Sequence, residues 1–253
     1  MDFTSISRED VIRQRHSCFN NGEFFSAPSD EHDIIVQKTA IGARNMSLII
    51  TMKTTHGIVF ASDSKSTYIN QEKSFYEQEH RTAQKVFQFA RFILTTYGRN
   101  ECFVNGVLYY IEDVINEILS AAPGITMHDF ILALRDRLEV SLYRDVSDPY
   151  CFIFGYKAQN MYVIEYVQIY RDRIVYNPQL KNCIGWVGDT TCFPEKLQFQ
   201  LNQNWSISDM ENGIRMLMQN AIAVGDLFLN YNPVGGDVQI VSFTNETPEN
   251  RLR

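Results

Sequence analysis

The order of strand-like and helical segments is the feature that most restricts how this 253-residue chain can fold. From Ser47 onward, short apolar runs typical of β-strands are followed by two segments with helical spacing. The same order then repeats before a last strand-like run at residues 238–243. Two sheets cannot leave all their apolar faces in water, so each must pack on the other and on a layer of helices. The sequence therefore predicts an α+β fold of the four-layer αββα sandwich type.

The predicted elements cover most of the chain after Ser47. Strands are predicted at 47–53, 58–63, 85–89, 92–97, 150–156, 161–167, 174–176, 183–185 and 238–243. Helices are predicted at 102–119, at 190–201, at 208–228 and in a segment that Thr126 caps and that reaches Val140. A polar loop is predicted from Tyr68 to Arg81.

Residues 1–46 differ in character from the rest of the chain. They are polar and carry turn signals, and they contain one short helix candidate at residues 8–17. We interpret residues 1–46 as an N-terminal extension or propeptide and residues 47–253 as one domain. A third alternative is a start at Met46, because a methionine aminopeptidase would then expose Ser47.

Charge, hydropathy and cysteine pattern exclude several classes of function. The net charge of −7 disfavours nucleic acid as a ligand, since phosphate binding needs a clustered positive field. No run reaches the roughly 18 apolar residues of a membrane span. The five cysteines are scattered without a Cys-x-x-Cys pair, which is typical of reduced thiols in a cytoplasmic protein. We therefore expect no membrane association, no metal and no cofactor.

The segment from Ser47 to Thr67 carries a family resemblance. It reads SLIITMKTTHGIVFASDSKST and resembles the start of mature proteasome β and HslV subunits, which belong to the N-terminal-nucleophile hydrolases. In those subunits an N-terminal nucleophile begins a strand, a turn with glycine follows, and a second strand ends in aspartate. Further along, Lys85-Val86-Phe87 and Thr95-Thr96-Tyr97-Gly98 resemble the family's catalytic lysine segment and its oxyanion-hole glycine segment.

The resemblance implies a catalytic set of four residues. Ser47 stands at the position of the nucleophile, whose own α-amine serves as the general base with a pKa near 8. Asp63 stands at the acidic partner, and Lys85 at the lysine whose charge lowers neighbouring pKa values. Gly98 stands where a backbone N–H stabilises the oxyanion. The implied activity is that of a peptidase or amide hydrolase of the threonine-type family.

Other residues depart from the family pattern. Tyr231 to Gly236 occupies the place of an Asp-x-x-Ser-Gly-Gly run, and Trp186 stands where a serine usually supports the amine. Each site residue also has a structural alternative: Asp63 as a turn cap, Lys85 as a solvated strand-edge lysine, Gly98 as a turn residue. The competing function is a non-catalytic ring or scaffold subunit, and a third is an amide hydrolase acting on a small metabolite.

The resemblance also implies partners and a location. It indicates a homo-oligomeric ring that acts on peptide or protein substrates in the cytoplasm, and it leaves any ATPase partner unidentified.

Overall fold

A computed structural model describes residues 35–36, 47–69, 75–104, 107–142, 149–180, 183–188, 201–229 and 232–244. In chain order, its elements are β1 Ile35–Val36, β2 Leu48–Lys53, β3 Ile58–Asp63, β4 Lys65–Ile69, β5 Phe75–Thr82, β6 Val86–Gln88, β7 Phe92–Tyr97, β8 Glu101–Val104, β9 Val107–Tyr110, α1 Ile111–Ala121, α2 Met127–Leu142, β10 Tyr150–Ala158, β11 Met161–Ile169, β12 Ile174–Gln179, β13 Cys183–Gly188, α3 Ile207–Phe228 and β14 Val238–Phe243. In the described part of the chain, no helix is both long enough and apolar enough to cross a membrane.

The strands in the described ranges form two five-stranded sheets and two hairpins. The first sheet has the order β1-β13-β2-β3-β14, and the second has the order β12-β11-β10-β7-β6. All neighbours within them are antiparallel except β1, which runs parallel to β13. The prediction of an α+β fold is therefore confirmed, and the antiparallel pairing is a finding of the structure.

Strands β2 and β3 of the first sheet are buried along their whole length. Because side chains alternate between faces, such a strand needs apolar residues on both faces rather than on one. Ile49 packs toward the second sheet, in a cluster with Ile93 and Ile153. Its neighbour Ile50 faces the other way and packs in a cluster with Ile214 of α3.

Helices α1 and α2 pack on the second sheet. Their buried side chains form one cluster with residues of β7, β10 and β11. Phe130 of α2 lies at its centre, with its ring centroid 5.6 Å from that of Phe92 and 6.1 Å from that of Phe154. Thr126 caps α2 by accepting a hydrogen bond from Asp129 N at 3.2 Å, as the sequence predicts.

The structure differs from the predicted elements in three places. Ile35–Val36 forms strand β1, where no strand is predicted. The predicted loop between Tyr68 and Arg81 contains most of the β4–β5 hairpin, whose polar sequence lacks the alternation by which strands are recognised. The helix predicted from residue 102 begins only at Ile111, after the β8–β9 hairpin. Valine and tyrosine in Val107–Tyr110 favour strand conformation over helix. The helix predicted at 8–17 lies outside the described residues, as does all of the helix predicted at 190–201 except Leu201.

The packing of the two sheets predicts the effect of a single added methyl group. A Cβ at Gly155 would lie 2.9 Å from Ile93 Cγ1 in the same sheet and 3.0 Å from Ile58 and Phe60 in the first sheet. We expect Gly155→Ala to lower the free energy of unfolding by about 1–3 kcal/mol, measured by urea titration, because these side chains must move apart. Gly124→Ala is the control, since no atom lies within 4 Å of a Cβ there. Equal unfolding midpoints for the two variants would contradict the described packing.

Candidate active site

A buried ion pair joins the two sheets. Asp63 is the last residue of β3, and Lys85 immediately precedes β6. Lys85 Nζ lies 3.1 Å from Asp63 Oδ2, and the two side chains are 7% and 0% exposed. Burial raises the pKa of Asp63, an effect that the Lys85 charge opposes. Burial likewise lowers the pKa of Lys85 against the opposing influence of Asp63. The solvated strand-edge alternative for Lys85 is therefore wrong.

The carboxylate of Asp63 also accepts hydrogen bonds from the backbone on both sides of it. Leu48 N donates to Oδ1 at 2.9 Å. Lys65 N and Gly235 N each donate to Oδ2 at 3.3 Å. These donors replace part of the water that a carboxylate loses on burial. Since Leu48 N is one of them, Asp63 fixes the position of the residue that directly follows Ser47.

The ammonium group of Lys85 is held as firmly as the carboxylate. Its Nζ donates to the backbone oxygen of Lys65 at 2.7 Å. The backbone N of Lys85 donates to Gln239 Oε1 at 2.9 Å, and Gln239 Nε2 donates to Ala83 O at 2.7 Å. The lysine therefore has a defined position between the two sheets.

Ser47 lies at the start of β2 and is 8% exposed. Its carbonyl group passes directly against Gly188, where a Cβ would lie 1.6 Å from Ser47 O. Gly188 has φ +105°, a value that favours glycine. Any side chain at residue 188 would therefore push the start of β2 away from the site.

Gly98 follows β7 and has φ +80°, as a glycine turn requires. Thr96 N donates to Lys85 O at 3.1 Å, which ties this end of β7 to the lysine. Ser47, Lys85 and Gly98 line the same pocket. Asp63 lies behind Lys85, so the structure brings all four predicted residues together.

The loop before β14, which stands in the place of the family's Asp-x-x-Ser-Gly-Gly run, lies against Asp63 and Lys65. Lys65 Nζ donates to Asn232 O at 2.9 Å, and Asp237 N donates to Ser64 Oγ at 2.7 Å. The Asn232 side chain points to α3 instead, donating to Ile222 O at 3.0 Å and to Asp226 Oδ1 at 2.9 Å. In the sequence, the Gly235-Gly236 pair indicates this contact, because glycine allows the backbone of the loop to come close to Asp63.

Glu112 lies at the pocket, whereas Trp186 is not among the residues that line it. Glu112, in the first turn of α1, lines the pocket and accepts a hydrogen bond from Gln84 N. Trp186 is buried in the cluster between the first sheet and α3. In the described ranges, no three His, Cys, Asp or Glu side chains converge as metal ligands would.

The buried pair predicts a pH-dependent loss of stability in Lys85→Met. This change leaves a buried carboxylate without its cation, and we expect the free energy of unfolding to fall by about 3–5 kcal/mol near neutral pH. Burial alone raises the folded-state pKa of Asp63 above its unfolded value, so the folded variant binds a proton more tightly than the unfolded chain. Its stability is therefore best preserved below the ordinary carboxyl pKa and is lost as the pH rises through the folded pKa.

Urea unfolding of parent and variant at about pH 5 and about pH 8 measures this deficit. The matched control is Arg137→Met, which breaks an ion pair with Glu117 whose side chains are 51% and 47% exposed. We expect that control to lose at most about 1 kcal/mol at either pH. A Lys85→Met deficit that is larger at the acidic pH would contradict the buried-charge explanation.

Comparison with known proteins corrects the expected family. No protein-family model matches the chain, and no curated protein matches it. Its fold is similar to Anbu (ancestral beta-subunit) from Yersinia bercovieri, with a TM-score of 0.48 and 13% identity over 78% of this chain and 81% of that one. Two Anbu structures from Hyphomicrobium sp. strain MC1, one a Gly-1 mutant, share 14% identity. The mutant has a TM-score of 0.49, and the match covers 78% of this chain and 81% of the mutant chain. The other structure has a TM-score of 0.46, and the match covers 78% of this chain and 82% of that one. Assignment to the proteasome β/HslV family is therefore wrong, since the matched structures are Anbu proteins, a distinct family.

Proposed function

We propose that the chain is a peptidase or amide hydrolase whose nucleophile is Ser47, made N-terminal by the removal of residues 1–46. The observation that supports this most is the buried Lys85–Asp63 pair beside Ser47, with Lys85 and Ser47 lining one pocket. Buried pairs of this kind are concentrated at functional sites, because solvation alone would keep both groups at the surface.

The proposed reaction needs only groups of this chain and the substrate. Ser47 Oγ attacks the amide carbonyl and gives its proton to the Ser47 α-amine, so that a C–O bond forms and the carbonyl oxygen becomes negative. The backbone N–H of Gly98 donates to this oxyanion. The intermediate collapses, the C–N bond breaks, and the leaving amine takes the proton from the α-amine. Water then hydrolyses the ester by the same two steps and restores the serine.

The chain organisation belongs to the same proposal. We propose residues 47–253 as a single four-layer αββα domain and residues 1–46 as the segment that is removed. Three separate clusters of buried side chains support four layers: one between the sheets, one under α1 and α2, and one under α3. Within the segment to be removed, Ile35–Val36 pairs with Gly185–Trp186 at the edge of the first sheet.

A second candidate is a non-catalytic scaffold subunit, and two observations favour it. Val234 stands where the family run has its serine, and it is buried in a hydrophobic cluster, so it offers no hydroxyl to an amine. Trp186 is 8% exposed and packs in a hydrophobic cluster, where it offers no hydroxyl to the site. The two candidates differ in whether Ser47 reacts.

Substitution of Ser47 separates these candidates. We expect Ser47→Ala to abolish cleavage of fluorogenic peptide amides and labelling by electrophiles that join a hydroxyl and an amine. Ser47→Thr keeps both groups and should retain substantial activity. Lys85→Ala should lower activity nearly as much as Ser47→Ala. Where residues act as one unit, the loss of any one of them removes most of the activity.

The assay needs chain that mass spectrometry shows to begin at Ser47. The matched control is Ser242→Ala, which removes another buried serine hydroxyl from a residue outside the pocket lining and should leave activity unchanged. Equal activity of Ser47→Ala and the parent would contradict the catalytic proposal and favour the scaffold function.

We propose further that the chain forms a homo-oligomer. Leu227 and Phe228 end α3 and are 77% and 80% exposed. Adjacent large apolar side chains in water are typical of surfaces that another chain covers. A second copy of this chain satisfies every such surface when the assembly closes on itself.

The double variant Leu227→Ser, Phe228→Ser tests this surface. We expect its molar mass in light scattering at micromolar concentration to fall below that of the parent, with little change in the unfolding midpoint of the subunit. Leu180→Ser, at a residue that is 60% exposed elsewhere on the surface, is the control and should keep the parent's mass. A monomeric parent would contradict the proposal.

A further inference from the structure

Arg99 is a cationic residue of the pocket that has no part in the reaction described above. It directly follows Gly98 and lines the same pocket as Ser47 and Lys85. The residue as a whole is half-buried.

The guanidinium of Arg99 is held in a fixed position by two groups. Its Nε donates to Glu101 O at 3.2 Å. Its central carbon lies 5.1 Å from the centroid of the Tyr150 ring. The Tyr150 hydroxyl donates to the same Glu101 oxygen at 3.0 Å, so ring, carbonyl and guanidinium form one connected unit. A cation held in this way loses little further freedom when it binds an anion.

One donor atom of this fixed group is unused. Arg99 Nη1 is buried and has no hydrogen-bond partner among the described residues. The two lysines that line the pocket are bonded within the protein: Lys85 to Asp63, and Lys65 to Asn232 O. Arg99 forms no ion pair in the described part of the chain. A buried donor without an acceptor destabilises the protein by itself and gains when an acceptor arrives.

We infer that Arg99 selects substrates that carry a carboxylate on the acyl side of the amide bond, such as a glutamyl or aspartyl residue. This inference rests on the proposed function. Gly98 N–H would hold the carbonyl oxygen, and the side chain of the next residue then lies beside the acyl part of the substrate. The planar fork of a guanidinium matches a carboxylate with two parallel hydrogen bonds. A neutral amide side chain of the same length supplies neither the charge nor both acceptors.

A purely structural role for Arg99 makes different predictions. If the residue only braces the turn after Gly98 through Glu101 and Tyr150, its removal lowers stability and weakens all substrates alike. Selectivity between charged and neutral substrates then does not change. The ratio of the two rates is therefore the quantity that separates the roles.

The kinetic test compares three peptide amides that differ only in the acyl-side residue, which is glutamate, glutamine or lysine. It uses chain beginning at Ser47. For the parent we expect kcat/KM for the glutamate peptide to exceed that for the glutamine peptide by about tenfold to a hundredfold. Arg99→Gln should lose this preference while retaining the rate on the glutamine peptide. Arg99→Lys should keep part of the preference, because lysine retains the positive charge but lacks the planar guanidinium group.

The matched control is Arg91→Gln, which removes an exposed arginine beside the opposite end of β7. It should keep the parent's preference, since a general change in protein charge does not affect the pocket. A parent without preference for glutamate, or an Arg99→Gln variant that slows both peptides equally, overturns the inference.

A binding experiment keeps this test independent of catalysis. Calorimetry on Ser47→Ala protein that begins at residue 47 compares N-acetylglutamate amide with N-acetylglutamine amide, before and after the additional change Arg99→Gln. We expect tighter binding of the glutamate compound and loss of the difference in the double variant. If Ser47 is never labelled but this difference is present, the proposed function fails and Arg99 still marks a carboxylate site. If labelling occurs and the difference is absent, only the Arg99 inference fails.

Discussion

The ion pair between Asp63 and Lys85 determines the positions of most groups around it. Removal of both charges from water has a cost of several kcal/mol per ion, which their attraction alone does not repay. Three backbone N–H groups on Asp63 and one backbone carbonyl on Lys85 supply the rest. These donors and the acceptor come from the start of β2, from β4 and from the loop before β14. The pair therefore specifies how these segments meet, and its contribution is to geometry more than to stability.

The segments that meet at this pair need glycine where backbone approaches backbone. Gly188 leaves room for the carbonyl of Ser47, and Gly98 turns the chain at the end of β7 with positive φ. Gly235 brings its own N–H to Asp63 at the point where a side chain would compete for the space occupied by Lys65. Charge and close approach thus act together. The Asp63 carboxylate receives its three backbone hydrogen bonds only if these segments come near it.

Sequence reasoning recovered those parts of the molecule in which local pattern and burial agree. The continuous apolar runs of β2 and β3 and the spacing of α3 predicted their elements within a few residues. The β8–β9 hairpin was missed because Val107 and Tyr110 also satisfy helical spacing with the helix that follows. Ser47, Asp63, Lys85 and Gly98 came from a resemblance, although the family it indicated was wrong. Arg99 was missed because the ring against which it lies, Tyr150, is distant in sequence.

The position of Lys85 has a consequence for an amine at Ser47. As long as Met46 is attached, the nitrogen of Ser47 is an amide and has no basic character. In the proposed function, cleavage would create an α-amine with an ordinary pKa near 8 at Ser47, which lines the same pocket as Lys85. Because like charges disfavour protonation, Lys85 would lower the pKa of that amine and leave more of it in the neutral form that accepts a proton. Asp63 opposes this by partly neutralising Lys85, and its own burial limits how far it does so. The buried pair would thus set the basicity of a group that exists only after the chain is cut.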